Sequence, residues 1–191
     1  MQRRTILYLS AIAALSGVHA AHAAEQRPLE LFGVALKGAT RDQLRQAFKA
    51  NGVRATREEN QYWVDVYDAK GVLDGASELQ TGYVAASSKF AYARYTFETF
   101  MDTELVGKVI NMVGSKYGKP SSQSGSYGLG PVTARWTLGQ GMQIEVSRGW
   151  PDTTTYLKFL DPVAHAQMQS EIDAERRAQE SQKNKSQTKA F

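Results

Sequence analysis

The side chains that most often carry out chemistry in proteins are scarce in this sequence. There is no cysteine, and the three histidines are His19, His22 and His165. The first two lie in an N-terminal segment that we expect to be removed, and His165 lies in a charged C-terminal tail. A Ser-His-Asp triad, a Cys-His pair or a histidine-rich zinc site needs an imidazole or a thiolate inside the folded domain. The sequence therefore predicts none of these sites, no cofactor and no metal.

Carboxylates remain as candidates for acid/base chemistry. Glu98, Asp102 and Glu104 cluster around the start of a predicted helix, and Asp65 could face Glu145 across a sheet. Hydrolysis by two carboxylates needs them roughly 5–9 Å apart in a cleft. Acidic residues at a helix N-terminus also interact favourably with the helix dipole, and we prefer that structural interpretation for Asp102 and Glu104.

A second set of candidates suits binding, and it consists of aromatic and charged residues on predicted strands. In residues 61–67, Tyr62, Val64 and Val66 alternate with the residues between them, the period of two typical of a half-buried strand. If those three face the helices, the intervening residues face outward, where residues of later strands join them. The predicted binding face comprises Trp63, Asp65, Tyr67, Tyr92, Arg94 and Arg135. Tyr, Trp and Arg are enriched at binding hot spots, but strands favour aromatic residues anyway, and both interpretations stay open.

Two helices must position these residues. The first begins after Thr40, where Thr-x-x-Gln has the spacing of a capping box, and it ends at Asn51. The second begins at Asp102 or Thr103 and ends at Gly118. Several antiparallel strands follow each helix, at a spacing of about 60 residues. We predict an α+β fold in which two helices pack on one face of an antiparallel sheet of roughly seven to nine strands. A tandem helix-plus-sheet repeat is suspected.

The N-terminus has the three parts of a secretory signal peptide. Arg3 and Arg4 precede an uncharged stretch over residues 5–18, and small-x-small cleavage sites end at Ala20 and Ala23. A membrane span takes about 20 apolar residues, so we predict cleavage, after Ala23 in preference to Ala20, and no stable membrane anchor. An exported chain without cysteine suits the periplasm. Secretion to the exterior and export by the twin-arginine route stay open.

The mature chain is predicted to form one domain. Residues 24–163 make up the α+β domain, with suspected halves 28–100 and 101–161, and residues 164–191 form a polar tail that is partly helical or disordered. The formal net charge of the whole sequence is +4. Acidic residues are interspersed with basic ones, whereas a nucleic-acid-binding protein concentrates positive charge on one face or helix. Nucleic acid is therefore not an expected partner.

Two short phrases and the order of the elements resemble known families. Residues 32–44 read Phe-Gly-Val-Ala-Leu-Lys-Gly-Ala-Thr-x-x-Gln-Leu, and residues 116–120 read Lys-Tyr-Gly-Lys-Pro. Both phrases are similar to segments of small proteobacterial periplasmic proteins. Two helix-plus-sheet units resemble the β-lactamase-inhibitor-protein architecture, and the small BamE/SmpA-type assembly lipoproteins share one such unit. The inhibitor family is disulfide-bonded and the lipoproteins are acylated, so for a chain without cysteine the resemblance implies an architecture and no functional residue.

These observations favour a non-enzymatic binding or inhibitory module of the periplasm. It would hold an envelope protein or another envelope component on an aromatic sheet face. The alternative is a carboxylate-type hydrolase acting on cell-wall or sugar material. An exposed face of aromatic residues and arginines would favour the first function, and two acids converging in a deep cleft would favour the second.

Overall fold

The structure is a computed structural model that describes residues 28–99 and 101–188, so the predicted signal peptide lies outside the described residues. The three helices of this part are α1 (Arg41–Ala50), α2 (Leu105–Tyr117) and α3 (Pro162–Gln187). The strands are β1 (Glu30–Leu31), β2 (Val34–Ala35), β3 (Arg54–Arg57), β4 (Val64–Asp68), β5 (Glu78–Tyr83), β6 (Phe90–Phe97), β7 (Ser122–Gly125), β8 (Val132–Thr137), β9 (Gln143–Arg148) and β10 (Thr155–Leu160).

The sheet is built from two consecutive four-stranded meanders. Its eight strands lie in the order β3-β4-β5-β6-β10-β9-β8-β7, and all pairs are antiparallel. Helix α1 precedes the first meander and α2 precedes the second, and the last strands of the two meanders, β6 and β10, join them. The predicted α+β class is confirmed, and the order of elements is a helix and four strands, twice.

Helix α1 begins as its sequence predicts. The Thr40 hydroxyl accepts a hydrogen bond from the Gln43 amide at 3.3 Å, and the Gln43 side chain accepts one from the Thr40 amide at 2.9 Å. This reciprocal capping box satisfies two of the amide groups that a helix start leaves unpaired. Leu44 and Phe48 are fully buried against the sheet, so the helix presents one apolar stripe to the core.

Helix α2 packs on the same face, over β8, β9 and β10. The Asp102 carboxylate accepts hydrogen bonds from the amides of Glu104 and Leu105 at 2.9 and 3.1 Å. Gly118, with a φ of 81°, follows the last turn, and its carbonyl accepts a hydrogen bond from the Trp136 indole at 2.8 Å. The buried apolar residues of the helix are Val106, Val109, Ile110 and Val113. The main core therefore lies between α1, α2 and one face of the sheet, which we call the inner face.

Helix α3 lies on the opposite, outer face, where it contacts β5 and β6. Asp161 caps it by accepting from the amides of Val163 and Ala164, both at 3.2 Å. Met168 is only 2% exposed and packs with Val84 and Ala91. The residues predicted as a tail thus form one long helix, and its first turns belong to the folded body.

Two details position α3 on this face. Gly82 pairs with Tyr92 across β5 and β6, and a β-carbon at Gly82 would overlap the Tyr92 ring and touch the Met168 sulfur. The Glu171 carboxylate accepts from the amides of Ala85 and Ala86 at 2.7 and 3.3 Å. Residues 174–188 are exposed all round. Within residues 28–99 and 101–188, no helix combines the length and the apolar composition needed to cross a membrane.

Candidate functional site

One row of polar side chains crosses the outer face of the sheet. Strand register places Gln80, Arg94, Lys158, Glu145 and Arg135 directly opposite one another on β5, β6, β10, β9 and β8. Side chains alternate between the two faces of a strand. These five side chains therefore lie on the face opposite to the buried residues that precede and follow them along each strand. We call this set the outer row. Helix α3 contacts β5 and β6, and the side chains of the outer row are half-buried or exposed.

The centre of the outer row holds two cations side by side. Arg94 and Lys158 are directly paired on β6 and β10, the strands that join the two meanders. The Arg94 guanidinium lies over the Tyr156 ring at 5.1 Å and donates to the Gln80 side chain at 2.8 Å. The Lys158 ammonium lies 5.3 Å from the centre of the Tyr92 ring. Like charges directly opposite each other in a sheet are destabilising.

The carboxylate of the outer row is already engaged elsewhere. Arg135 donates to Glu145 at 2.7 Å. Among the described residues, Arg94 and Lys158 form no ion pair with a carboxylate, and the buried Arg94 Nε has no hydrogen-bond partner. Burial lowers the pKa of Lys158. The negative charge of Glu145 raises this pKa and the positive charge of Arg94 lowers it, and the net shift is downward. The centre of the row is therefore a positive, aromatic-flanked patch.

Helix α3 brings a histidine to this patch. The His165 ring packs edge-on against Tyr92 at 5.5 Å, and its Nε2 lies 3.5 Å from the Lys158 Nζ. Burial and the positive charge of Lys158 lower the pKa of His165, so the ring is neutral at neutral pH. The sequence-based expectation that His165 lies outside the folded domain is wrong, because the first turns of α3 pack on the sheet.

Two of the six predicted binding residues lie on the inner face instead. Asp65 and Tyr67 are 0% and 1% exposed. Their predicted outward orientation is wrong: it is Val64 and Val66 that lie on the outer face of β4. The cause is a charge cluster, since α1 directs the guanidinium groups of Arg41 and Arg45 at this face, one helical turn apart.

The Asp65 carboxylate is held by four hydrogen bonds from these two arginines. Arg41 donates from Nε at 3.0 Å and from Nη2 at 2.5 Å, and Arg45 donates from Nε and Nη2 at 2.9 Å each. Burial alone would raise the pKa of Asp65, but these bonds outweigh it and lower the pKa. The Tyr67 hydroxyl donates to Glu58 at 2.8 Å, and burial raises the pKa of Tyr67. Asp65 is thus a structural anion that is ionised at neutral pH.

The other four predicted residues divide between covered and open positions. Trp63 lies under α3, where it packs near Met168 and its indole points at Glu171 with an N–O distance of 3.4 Å. Tyr92 lies on the outer face at the edge of α3. Arg94 and Arg135 belong to the outer row. The structure therefore places Tyr92, Arg94 and Arg135 on the outer face and Trp63 beneath α3 on that face, whereas Asp65 and Tyr67 lie on the inner face.

The carboxylates considered for acid/base chemistry are not brought together. Asp65 lies on the inner face and Glu145 on the outer face, so the expectation that they face each other is wrong. Asp102 caps α2, and Glu98 and Glu104 are exposed. In the part of the chain that the structure describes, no three His, Cys, Asp or Glu side chains form a group suited to a metal ion.

Three residues of the patch were not among the predicted site residues. Tyr156 and Lys158 alternate with the buried Leu157 and Phe159 on β10, so the period of two could have placed them on one face. His165 had no such signal, because its position depends on where α3 packs. Tyr156 and Lys158 lie on the strand next to that of Arg94, and His165 lies beside Lys158.

Comparisons with known proteins add little to this geometry. No family model matches the chain, and no curated protein matches it. Among solved structures, the chain is similar to the DUF4309 family protein YjgB from Bacillus subtilis, with 15% sequence identity and a TM-score of 0.41. The match covers 73% of this chain and 92% of that one. A likeness at this level carries no argument about function, which therefore rests on the geometry of the outer face.

Proposed function

We propose that this protein is an exported, non-enzymatic binding module of the periplasm that holds an acidic segment of an envelope protein on its outer sheet face. The observation that carries the proposal is the Arg94–Lys158 pair. Two cations sit directly opposite each other on neighbouring strands, and among the described residues neither forms an ion pair with a carboxylate, because Glu145, which lies opposite Lys158 on β9, is paired with Arg135.

The Arg94–Lys158 pair lowers the stability of the fold. Directly opposed like charges lose up to about 1 kcal/mol relative to a neutral pair, and a buried donor without a partner, such as Arg94 Nε, costs about 1–3 kcal/mol. Natural sequences break such local rules mainly at functional sites. A carboxylate placed between Arg94 and Lys158 would offset the repulsion between them.

The shape of the patch favours a protein as the partner. The patch lies on an open sheet face flanked by the rings of Tyr92 and Tyr156, and arginine and tyrosine are the residues that dominate protein interfaces. An extended acidic segment can follow the outer row across several strands, pairing its carboxylates with the cations. The N-terminal segment with the parts of a signal peptide supports the same role, because it directs the chain to the envelope.

A peptide-binding experiment tests the charge complementarity directly. The chain from residue 24 to residue 191 is titrated into a fluorescein-labelled hexaglutamate peptide and followed by fluorescence polarisation. We expect binding that weakens with salt, and a loss of at least about tenfold in affinity in the double variant Arg94→Gln, Lys158→Gln, since each charge-assisted hydrogen bond contributes about 1.5–3 kcal/mol. Equal affinity of this variant and the unaltered chain would refute the proposal.

The matched control removes two cations from another place. Arg176 and Arg177 lie on the exposed part of α3, and the double variant Arg176→Gln, Arg177→Gln has the same net charge as the test variant. The control variant should keep its affinity if the site is local. An equal loss in both double variants would mean that only net charge matters. A pull-down from an envelope extract of the source organism with the same three proteins then identifies the natural partner.

A further inference from the structure

Three neighbouring loops at one end of the sheet expose apolar side chains. Strand register places the ends of β6, β10, β9 and β8 side by side there. The loops that leave these strands comprise residues 98–99 and 101–104, 126–131 and 149–154. Their exposed apolar side chains, which we call the apolar end, are Met101, Tyr127, Leu129 and Trp150. Single exposed apolar residues are common on protein surfaces, but a group of them rimmed by polar side chains marks an interaction site.

One buried arginine holds two of these loops together. The Arg148 guanidinium donates hydrogen bonds to four backbone carbonyl groups at 2.7 to 3.2 Å, those of Thr103, Ser126, Tyr127 and Gly130. The Thr153 hydroxyl donates to the Thr99 carbonyl at 3.0 Å and thereby ties the third loop to the first. Loops fixed in this way lose little conformational freedom when a partner binds.

The Tyr127 side chain is fixed as well. Its hydroxyl accepts a hydrogen bond from the Gln123 side chain at 2.9 Å. Its ring lies against Gly107 of α2, where a β-carbon would come within 3.4 Å of the ring. Tyrosine and tryptophan in fixed positions are the residues that most often dominate the energy of a protein interface.

The rim of the apolar end is acidic. Four carboxylates lie in these loops or at the start of α2, those of Glu98, Asp102, Glu104 and Asp152. Among the described residues, none of them forms an ion pair. Asp74 and Lys70 line one cleft with Glu98, and Lys108 lies one turn beyond Glu104. Acidic side chains therefore outnumber exposed cations at this end, since Arg148 is buried.

We propose that the apolar end binds a basic segment of a partner protein that carries apolar side chains between its lysines or arginines. The apolar side chains of the segment pack on Leu129 and Trp150, and its cations pair with the carboxylates of the rim. The formal net charge of the whole sequence is +4, so overall charge repels such a segment and the attraction is local. The apolar end lies at the strand ends and not on the outer row, so this interaction is independent of the function proposed above.

A peptide with alternating cationic and apolar residues tests the proposal. The chain from residue 24 to residue 191 is titrated into rhodamine-labelled Lys-Phe-Lys-Leu-Lys and followed by fluorescence polarisation. We expect saturable binding that weakens with salt. The peptides Gln-Phe-Gln-Leu-Gln, without charge, and Lys-Ser-Lys-Ser-Lys, without apolar side chains, should each bind at least about tenfold more weakly. No binding of the first peptide, or equal binding of either control peptide, would overturn the proposal.

Paired variants locate the peptide on the protein. Leu129→Ser, Trp150→Ser should weaken binding at least about tenfold. The matched control is Tyr62→Ser, Val163→Ser, at positions that are 42% and 76% exposed, compared with 47% for Trp150 and 73% for Leu129. The control should keep its affinity, and an equal loss in both variants would refute the assignment.

The charge of the rim is tested without changing the apolar side chains. Glu98→Gln, Glu104→Gln should weaken binding roughly threefold or more, a readout that holds even if the serine variant fails to fold. Glu175→Gln, Glu180→Gln, on the exposed part of α3, has the same net charge and should bind like the unaltered chain. No effect of the first pair, or equal effects of both pairs, would contradict the acidic rim.

Two other occupants of the apolar end give different results. A second copy of the chain would appear in sedimentation velocity as a dimer that Leu129→Ser, Trp150→Ser dissociates. A membrane surface would appear as co-sedimentation with phosphatidylethanolamine–phosphatidylglycerol vesicles that the same variant abolishes. We expect a monomer that does not sediment with these vesicles. Either of the other results would overturn the assignment to a basic protein segment.

Discussion

Replacing Asp65 by Asn should remove a large share of the stability of the fold. The carboxylate is fully buried and accepts four hydrogen bonds from Arg41 and Arg45, at distances between 2.5 and 3.0 Å. Asparagine has nearly the same shape as aspartate but carries no charge. Its NH2 group is a hydrogen-bond donor and would face the N–H donors of the guanidinium groups. Arg45 is 17% exposed and lies 3.8 Å from Glu58, so it can turn to other partners, whereas Arg41 is 9% exposed and stays buried.

The magnitude follows from the buried charge that is left behind. Removing one partner of a buried ion pair costs about 3–5 kcal/mol. Because only Arg41 remains without compensation, we expect a loss of about 3–4 kcal/mol in the free energy of unfolding. This compares with a total of about 5–15 kcal/mol for a typical domain. Asp65→Asn should therefore remove between about one fifth and four fifths of the stability of a typical domain.

Urea denaturation followed by circular dichroism measures this loss. The matched control is Asp68→Asn, the same change on the same strand, because Asp68 pairs with the largely exposed Arg54 and should contribute little. Combining Asp65→Asn with Arg41→Met closes a double-mutant cycle, in which we expect a coupling of about 2–3 kcal/mol. A loss below about 1 kcal/mol for Asp65→Asn, or a loss equal to that of Asp68→Asn, would refute the view of Asp65 as a structural anion.

Four further substitutions test other parts of the structure. The lowered pKa of His165 means that the unfolded chain binds more protons below about pH 6.5, so stability should fall as the pH drops from about 7.5 to about 5, and His165→Gln should flatten that decline in melting temperature. Gly82→Ala should cost about 1–3 kcal/mol in urea denaturation, because the new methyl group overlaps the Tyr92 ring. Gly114→Ala, where nothing lies nearby, should instead stabilise its helix slightly. Arg148→Met removes donors to four backbone carbonyls and should cost about 2–4 kcal/mol, with faster amide hydrogen exchange over residues 126–130. Unchanged exchange there would contradict the assigned role of the guanidinium.

Local chemistry predicted the elements of this fold well. The capping box at Thr40 depends on residues three positions apart, and the end of α2 depends on Gly118, so both could be deduced from a few neighbouring residues. The alternation on β8 and β10 likewise separates two sets of side chains without any knowledge of the rest of the chain. The α+β class follows from the order of these elements, helix before strands, twice.

What local chemistry could not predict is which set of side chains faces the core. Alternation in residues 61–67 is compatible with either choice, and a buried aspartate is acceptable only because two arginines from a distant helix reach it. The side chain of Asp65 therefore turns inward, against the expectation from hydrophobicity. Its partners lie 20 and 24 positions away along the chain.

The candidate site depends on the tertiary structure in the same way. Arg94 and Lys158 become neighbours only when β6 pairs with β10, and His165 joins them only when α3 packs on the outer face. Each of these contacts joins segments far apart in the sequence, and no short-range pattern encodes them. Sequence patterns specify helices and strands because their periods are local. The pairing of distant strands and the choice of buried face are decided by packing and charge compensation across the whole fold.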